Sequence, residues 1–205
     1  MRQKKIKGIS KASLLERGII GEPKFFSFDE NKRVNLEVGS GKGLFITSLA
    51  RDYKDEIFVA FEKNISVCYR ILEKKEAYML DNLFIVLDDA KHLEEYFHLN
   101  QVDCIYLNFS DPWPKSKHHK RRLTNQTFLD SYHNILKDKG LIQFRTDHNE
   151  LFLDSIEYIK NSKLFRIINK DENLKESKYM SEYEIKKRAY GNINQLVGEK
   201  IWTKN

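Results

Sequence analysis

From Val34 onward, short apolar runs alternate with longer stretches whose apolar residues recur at helical spacing. No other feature of the chain narrows its possible folds as far. Residues 34–38 form an apolar run that ends in glycines and read as a buried strand. Residues 57–61, 83–87, 102–107, 141–144 and 164–168 read as five more, and 196–202 as a last strand. Between them, residues 43–53, 64–80, 91–97, 124–136 and 148–159 read as helices. Asn64 and Thr124 stand at capping positions, and Gly140 is expected to break the fourth interval. A further short helix falls near Glu182. Strands alternating with helices imply right-handed β-α-β units, hence an α/β fold with a mostly parallel sheet and helices on both faces. Such sheets bind ligands beyond the carboxyl ends of their strands, near the point where strand order reverses. At those ends this chain is acidic four times over: Glu37, Glu62, Asp89 and Asp111.

A chain of 205 residues suits one ordinary domain. Residues 1–30 read as an arm, with a basic cluster (Arg2, Lys4, Lys5, Lys7, Lys11) followed by Phe25, Phe26 and Phe28; residues 31–205 form the domain proper. Lys and Arg number 36 against 30 Asp and Glu, a formal charge of +6. Such a surplus favours a polyanionic partner, nucleic acid or acidic membrane, although a lysine-rich background gives the same total. Cys68 and Cys104 lie in no CxxC or paired-histidine spacing, so neither a disulfide framework nor a metal site is expected, and a reducing compartment is. No stretch approaches the length of a membrane span and no apolar run follows the basic start, which makes the cytoplasm the default location. Monomer and homodimer are both compatible with the sequence.

The first strand runs into Leu36-Glu37-Val38-Gly39-Ser40-Gly41-Lys42-Gly43. Gly39, Gly41 and Gly43 let the backbone turn sharply and approach a ligand closely. The dinucleotide fingerprint is G-x-G-x-x-G, whereas the spacing here is G-x-G-x-G. Glu37 would repel a pyrophosphate but suits a cation, and S-adenosylmethionine carries both a sulfonium and an ammonium. The plain alternative is an ordinary strand-to-helix turn. Glu62 can accept from both hydroxyls of a ribose, or can be a solvated acid at a helix entry. Asp89 can accept from an adenine amine, or can simply favour a helix N-terminus. The three together, each at a strand end, argue for one cofactor site.

After the fourth strand comes Tyr106-Leu107-Asn108-Phe109-Ser110-Asp111-Pro112-Trp113-Pro114. Two prolines around a tryptophan stiffen this loop. A planar ring beside a carboxylate suits a nucleobase, since the ring stacks and the acid accepts from N–H donors; a proline-ended turn with a core tryptophan is the other possibility. Lys115, Lys117, Lys120, Arg121 and Arg122 then follow within eight residues, with His118 and His119 among them. Beside a base-sized site, that density reads as a phosphate-contacting surface rather than a merely solvated loop.

These segments resemble the bacterial tRNA (guanine-N7)-methyltransferase family. The resemblance rests on residues 36–43, Asp89-Ala90, residues 106–115, Lys120-Arg121-Arg122-Leu123, Thr146-Asp147 and Ser181-Glu182-Tyr183-Glu184, and covers roughly residues 34–190. It implies a Rossmann-like class I S-adenosylmethionine-dependent methyltransferase fold and transfer of a methyl group to N7 of a guanine in the variable loop of tRNA. It further implies cofactor contacts at Glu37, Glu62, Asp89 and Asp111, with Asp111 the catalytic acid, and substrate contacts at Lys115, Asp147 and Ser181 to Glu184. Two positions depart from the family: Ser181 replaces the usual Thr and keeps its hydroxyl, and the bulky Phe61 stands where a smaller aliphatic residue is expected. Three rivals are weaker. An exocyclic-amine methyltransferase normally has two adjacent prolines before the aromatic residue, and only Pro112 precedes Trp113 here. A nicotinamide oxidoreductase conflicts with the glycine spacing and with Glu37. A non-enzymatic RNA-binding module explains the basic segment but not four acids at strand ends.

Overall fold

The computed structural model describes Ile6 and residues 8–201. Arg2, Lys4, Lys5 and Lys7 of the basic arm, and Trp202 at the expected end of the last strand, lie outside the described residues. One seven-stranded sheet organises the rest: β1 (Val34–Val38), β2 (Ile57–Glu62), β3 (Leu83–Leu87), β4 (Val102–Asn108), β5 (Leu136–Thr146), β6 (Phe165–Asp171) and β7 (Asn194–Lys200). The strand order is β3-β2-β1-β4-β5-β7-β6, with β7 antiparallel to both its neighbours and the others parallel. Chain order reverses between β1 and β4, so their carboxyl ends flank the crevice where such sheets take ligands.

The connecting helices are α1 (Lys11–Glu16), α2 (Leu44–Asp52), α3 (Ile65–Ala77), α4 (Gln126–Ile135), α5 (Asn149–Ser162) and α6 (Glu182–Lys187). Strand side chains alternate between two faces, and the core divides accordingly. Phe58 and Ala60 of β2 pack with Phe45 and Ile46 of α2 and with Cys68 and Ile71 of α3. Val59 and Phe61 join Leu129 and Tyr132 of α4 and Leu151 and Phe152 of α5 on the other side. Phe61, bulky for its position, meets the Tyr96 ring edge-on at 5.2 Å, so its volume fills space under the 3-10 turn that carries Tyr96 at its end. No helix among the described residues is long and apolar enough to cross a membrane.

Several local expectations change. Asn64 caps α3, accepting from the amides of Ser66 and Val67. Thr124 does not cap α4, because its hydroxyl is turned inward to Ser155 at 2.7 Å and Asn125 takes the capping position. The expected helix over 91–97 is a 3-10 turn, Ala90–Glu95, capped by Asp89. Gly140 does not separate helix from strand: β5 begins at Leu136 and passes through it. Between the pairs Val102–Leu136 and Cys104–Leu141 the strand carries an irregularity, with Lys139 at φ 61°. A Cβ on Gly140 would lie 2.8 Å from the Lys137 carbonyl, so only glycine fits that bend. Within the first thirty residues α1 forms, and Leu14, Ile19 and Phe26 bury their side chains in the two halves of the core. Ile20 adds a parallel bridge to Val86 beside β3.

Candidate active site

Because β1 to β4 run parallel, residues at their carboxyl ends share one edge of the sheet. Glu37 is the fourth residue of β1 and points to the face covered by α2 and α3. It is only 1% exposed. Its Oε1 accepts from Asn108 Nδ2 at 2.8 Å, which ties the end of β1 to the end of β4, while its Oε2 has no hydrogen-bond partner among the described residues. Burial pushes the Glu37 carboxyl up to about 8, against the opposing pull of the Asn108 hydrogen bond. A buried acceptor with a free oxygen awaits a donor, and a cationic donor relieves its burial cost best.

Beyond Glu37 the chain turns through Gly39 at φ 76° and Gly41 at φ 54°, left-handed values that glycine adopts at little cost. A Cβ on Gly41 would touch nothing within 4 Å, and one on Gly39 would meet only Leu123 Cδ1 at 3.9 Å. The glycines therefore leave an open cradle. Glu62, at the end of β2, accepts from the Gly41 amide at 3.1 Å and from the Asn64 amide at 2.9 Å. Those bonds aim its carboxylate along the cradle and leave each oxygen a further acceptor site. Burial raises its pKa, and the two amides oppose the rise. Asp89 follows β3, caps the 3-10 turn and lies 3.7 Å from Lys63 Nζ. Its neighbour Asp88 faces inward, held by His92 at 3.0 Å and Tyr96 at 2.8 Å, so Asp89 is the acid left on the site side.

On the other side of the crevice, the loop after β4 has two non-glycine residues in left-handed conformation, Phe109 at φ 54° and Trp113 at φ 43°. Asp111 between them is exposed, and its side chain makes no hydrogen bond or ion pair among the described residues. Trp113 is half-buried, with the Arg121 guanidinium 4.9 Å above its ring and His118 edge-on at 5.8 Å. Lys115, Lys117, Lys120 and Arg121 are exposed on or beside a 3-10 turn, Ser116–Arg121. Their heads reach solvent and can meet a polyanion.

Arg122 requires correction. It is 0% exposed and cannot reach a phosphate. Its Nε donates to the Pro112 carbonyl at 2.8 Å, its Nη1 pairs with Asp154 and meets Tyr158 Oη at 3.3 Å, and Glu150 lies 3.9 Å away. His119, Glu150 and Asp154 present ligand atoms within 4.8 Å of one another, but this guanidinium already balances both carboxylates.

The C-terminal segment closes the site from above. Ser181 caps α6 by accepting from the Glu184 amide. Glu182 accepts from the Leu44 amide at the start of α2 at 3.3 Å and pairs with Lys74 at 3.2 Å. Tyr183 lies against Phe109, ring centroids 5.1 Å apart. Asp147, after β5, pairs with Lys187 at 2.9 Å. Glu184 is the second correction: it is fully buried between Arg145 at 3.1 Å and Arg188 at 2.6 Å, so it anchors α6 to β5 and has no surface to offer a substrate. Asn108, Phe109, Lys74 and Arg145 were not foreseen. Asn108 alone carried a signal, as a polar residue closing a strand otherwise built for burial.

Comparison with known proteins agrees with this geometry. A family model described as putative methyltransferase matches residues 31–196. A tRNA (guanine-N(7)-)-methyltransferase of Staphylococcus haemolyticus is 42% identical over 162 residues, covering 78% of this chain and 76% of that protein. One from Lactobacillus delbrueckii subsp. bulgaricus is 44% identical over 170 residues, covering 80% and 78%. The fold superposes on the 16S rRNA methyltransferase KamB with a TM-score of 0.65 over 96% of both chains; at 14% identity this speaks for the fold alone.

Proposed function

Since the chain belongs to the tRNA (guanine-N7)-methyltransferase family, we propose that it transfers a methyl group from S-adenosylmethionine to N7 of a guanine in tRNA, in the variable loop. We further propose that the strand-end acids divide the work of binding and transfer. The observation that carries the site assignment is Glu37 Oε2, buried and unpartnered among the described residues beside an open glycine cradle. The cofactor brings a sulfonium-activated methyl group, and its ammonium is the donor that Glu37 lacks. Glu62 accepts from the ribose hydroxyls, and Asp89 from the adenine amine. Gly39 and Gly41 let the backbone lie close to the bound molecule.

Asp111 faces the guanine. N7 carries a lone pair and no proton, so no residue has to act as a base there. The task is to hold N7 in line with the methyl–sulfur bond. The purine gains positive charge as it is alkylated, and the Asp111 carboxylate offsets that charge while accepting from the base's N–H groups. Phe109, Tyr183 and Trp113 supply ring faces around it. Lys115, Lys117, Lys120 and Arg121 hold the phosphate backbone without choosing the base. Asp147, Ser181, Glu182 and Tyr183 close the substrate side, and Glu184 supports them from beneath.

The test is methyl transfer to unmodified tRNA with mapping of the modified base. Methylation at N7 of a variable-loop guanine is expected, whereas a label on an exocyclic amine or on another loop overturns the assignment. Asp111→Asn keeps the shape and loses the charge. It should lose turnover on the order of a hundredfold while tRNA affinity stays close to wild type. Turnover near wild type would withdraw the electrostatic role.

A further inference from the structure

The side chain that holds the residue after Asp111 is itself buried, outside the crevice. The loop leaves β4 with the Phe109 amide donating to the Arg145 carbonyl at 2.8 Å, and its next anchor is the Pro112 carbonyl, held by Arg122 Nε at 2.8 Å. Between these two points lie Ser110, whose buried hydroxyl has no hydrogen-bond partner among the described residues, and Asp111, which is exposed and whose carboxylate makes no hydrogen bond or ion pair among them. Residues on both flanks sit in left-handed conformation without being glycine, a state that persists only where surrounding contacts impose it. Arg122 is the largest fully buried side chain of the described protein. A guanidinium leaves water at least cost when its donors are matched; here Nε and Nη1 are matched, to two elements at once, while Nη2 has no hydrogen-bond partner among the described residues. Nη1 is fastened to Asp154 and Tyr158 on α5, and Nε to the residue directly after Asp111.

We propose that Arg122 is a positioning residue for methyl transfer: it locks the Pro112 carbonyl onto α5 and so fixes Asp111 in the crevice before the tRNA arrives. This rests on the reading of Asp111 above. Arg122 touches no reacting atom. Its fork geometry is essential, because a lysine ammonium in its place is a compact point charge without that fork and cannot reproduce the arrangement at Pro112 and Asp154 together.

Arg122→Lys keeps the buried charge and tests the fork. Single-turnover rates at saturating cofactor and tRNA should fall by about tenfold or more. Cofactor affinity, tRNA affinity and its salt slope should stay at wild-type values, unlike the response of a phosphate contact. The decisive readout is a double-mutant cycle. If Arg122 acts through Asp111, then Arg122→Lys in an Asp111→Ala background should cost less than about twofold. A role in general stability would cost the same factor in both backgrounds. If Arg122→Lys does not fold, Asp154→Asn loosens the same clamp from α5 and should give the same non-additive pattern with a smaller loss. An undiminished effect in the Asp111→Ala background, or a fall in the tRNA salt slope, overturns the inference. Wild-type turnover in Asp111→Ala alone would instead remove the assignment of Asp111 on which it stands.

Discussion

Cofactor binding should expel a proton, and Glu37 is its source. In the ligand-free protein, burial raises this carboxyl from an ordinary 4.5 to about 8. At pH 7 roughly nine in ten molecules therefore hold it protonated. An ammonium placed against Oε2 reverses the balance, since an opposite charge favours the ionised acid. Binding at pH 7 should then release close to one proton, about 0.9 per cofactor, and release should fade above pH 9 where the acid is already ionised. Titration calorimetry in two buffers of different ionisation enthalpy reads this number directly. Glu62 is also raised by burial, so Glu37→Gln is the variant that assigns the proton: it should bind more weakly and release almost none. The same shift contributes to the pH dependence of the protein's stability. An acid whose pKa is raised on folding contributes stability that is complete below about 4.5 and lost as the pH climbs through about 8. The melting temperature of the wild type should thus fall between pH 5 and 9 by more than that of Glu37→Gln. Equal binding heats in the two buffers, or the same proton count in both proteins, would refute the reasoning.

If Glu62 holds the ribose as proposed, removing its carboxylate deletes a charge-assisted contact worth roughly 1.5–3 kcal/mol. Glu62→Ala should therefore weaken cofactor binding about tenfold or more in calorimetry, and unchanged affinity would remove it from the site. On the basic segment, replacing Lys120 and Arg121 with Ala should weaken tRNA binding and flatten its salt dependence by up to about two units of slope. Cofactor affinity should not move, and an unaltered slope would mean that the segment is only a solvated loop.

Much of the site was legible because its parts are local. A strand with Glu37 one residue from its end, followed by three spaced glycines, announces itself within eight residues, and helical or alternating periodicity needs only a turn or two to declare its period. The four acids could be placed on one edge without coordinates, since parallel strands bring their carboxyl ends together. Boundaries failed where a side chain found a distant partner: Thr124 gave up its cap for Ser155, and Gly140 served a bend in β5 rather than a helix stop. Arg122 and Glu184 failed for the same reason. Each sits in a polar, surface-like stretch; the density of basic residues assigned Arg122 to the substrate, and the family resemblance assigned Glu184.

The sequence by itself determined the order of strands and helices, the open loop after β1, and which acids stand at strand ends. Those properties follow from backbone preferences and side-chain period over short spans. The tertiary structure alone decided which charges face the crevice and which are spent inside. Arg122 meets Asp154 across 32 residues, Arg145 meets Glu184 across 39, and Asn108 meets Glu37 across 71. Whether a charge is buried, and so whether it binds a partner or braces the fold, depends on what the folded chain packs against it.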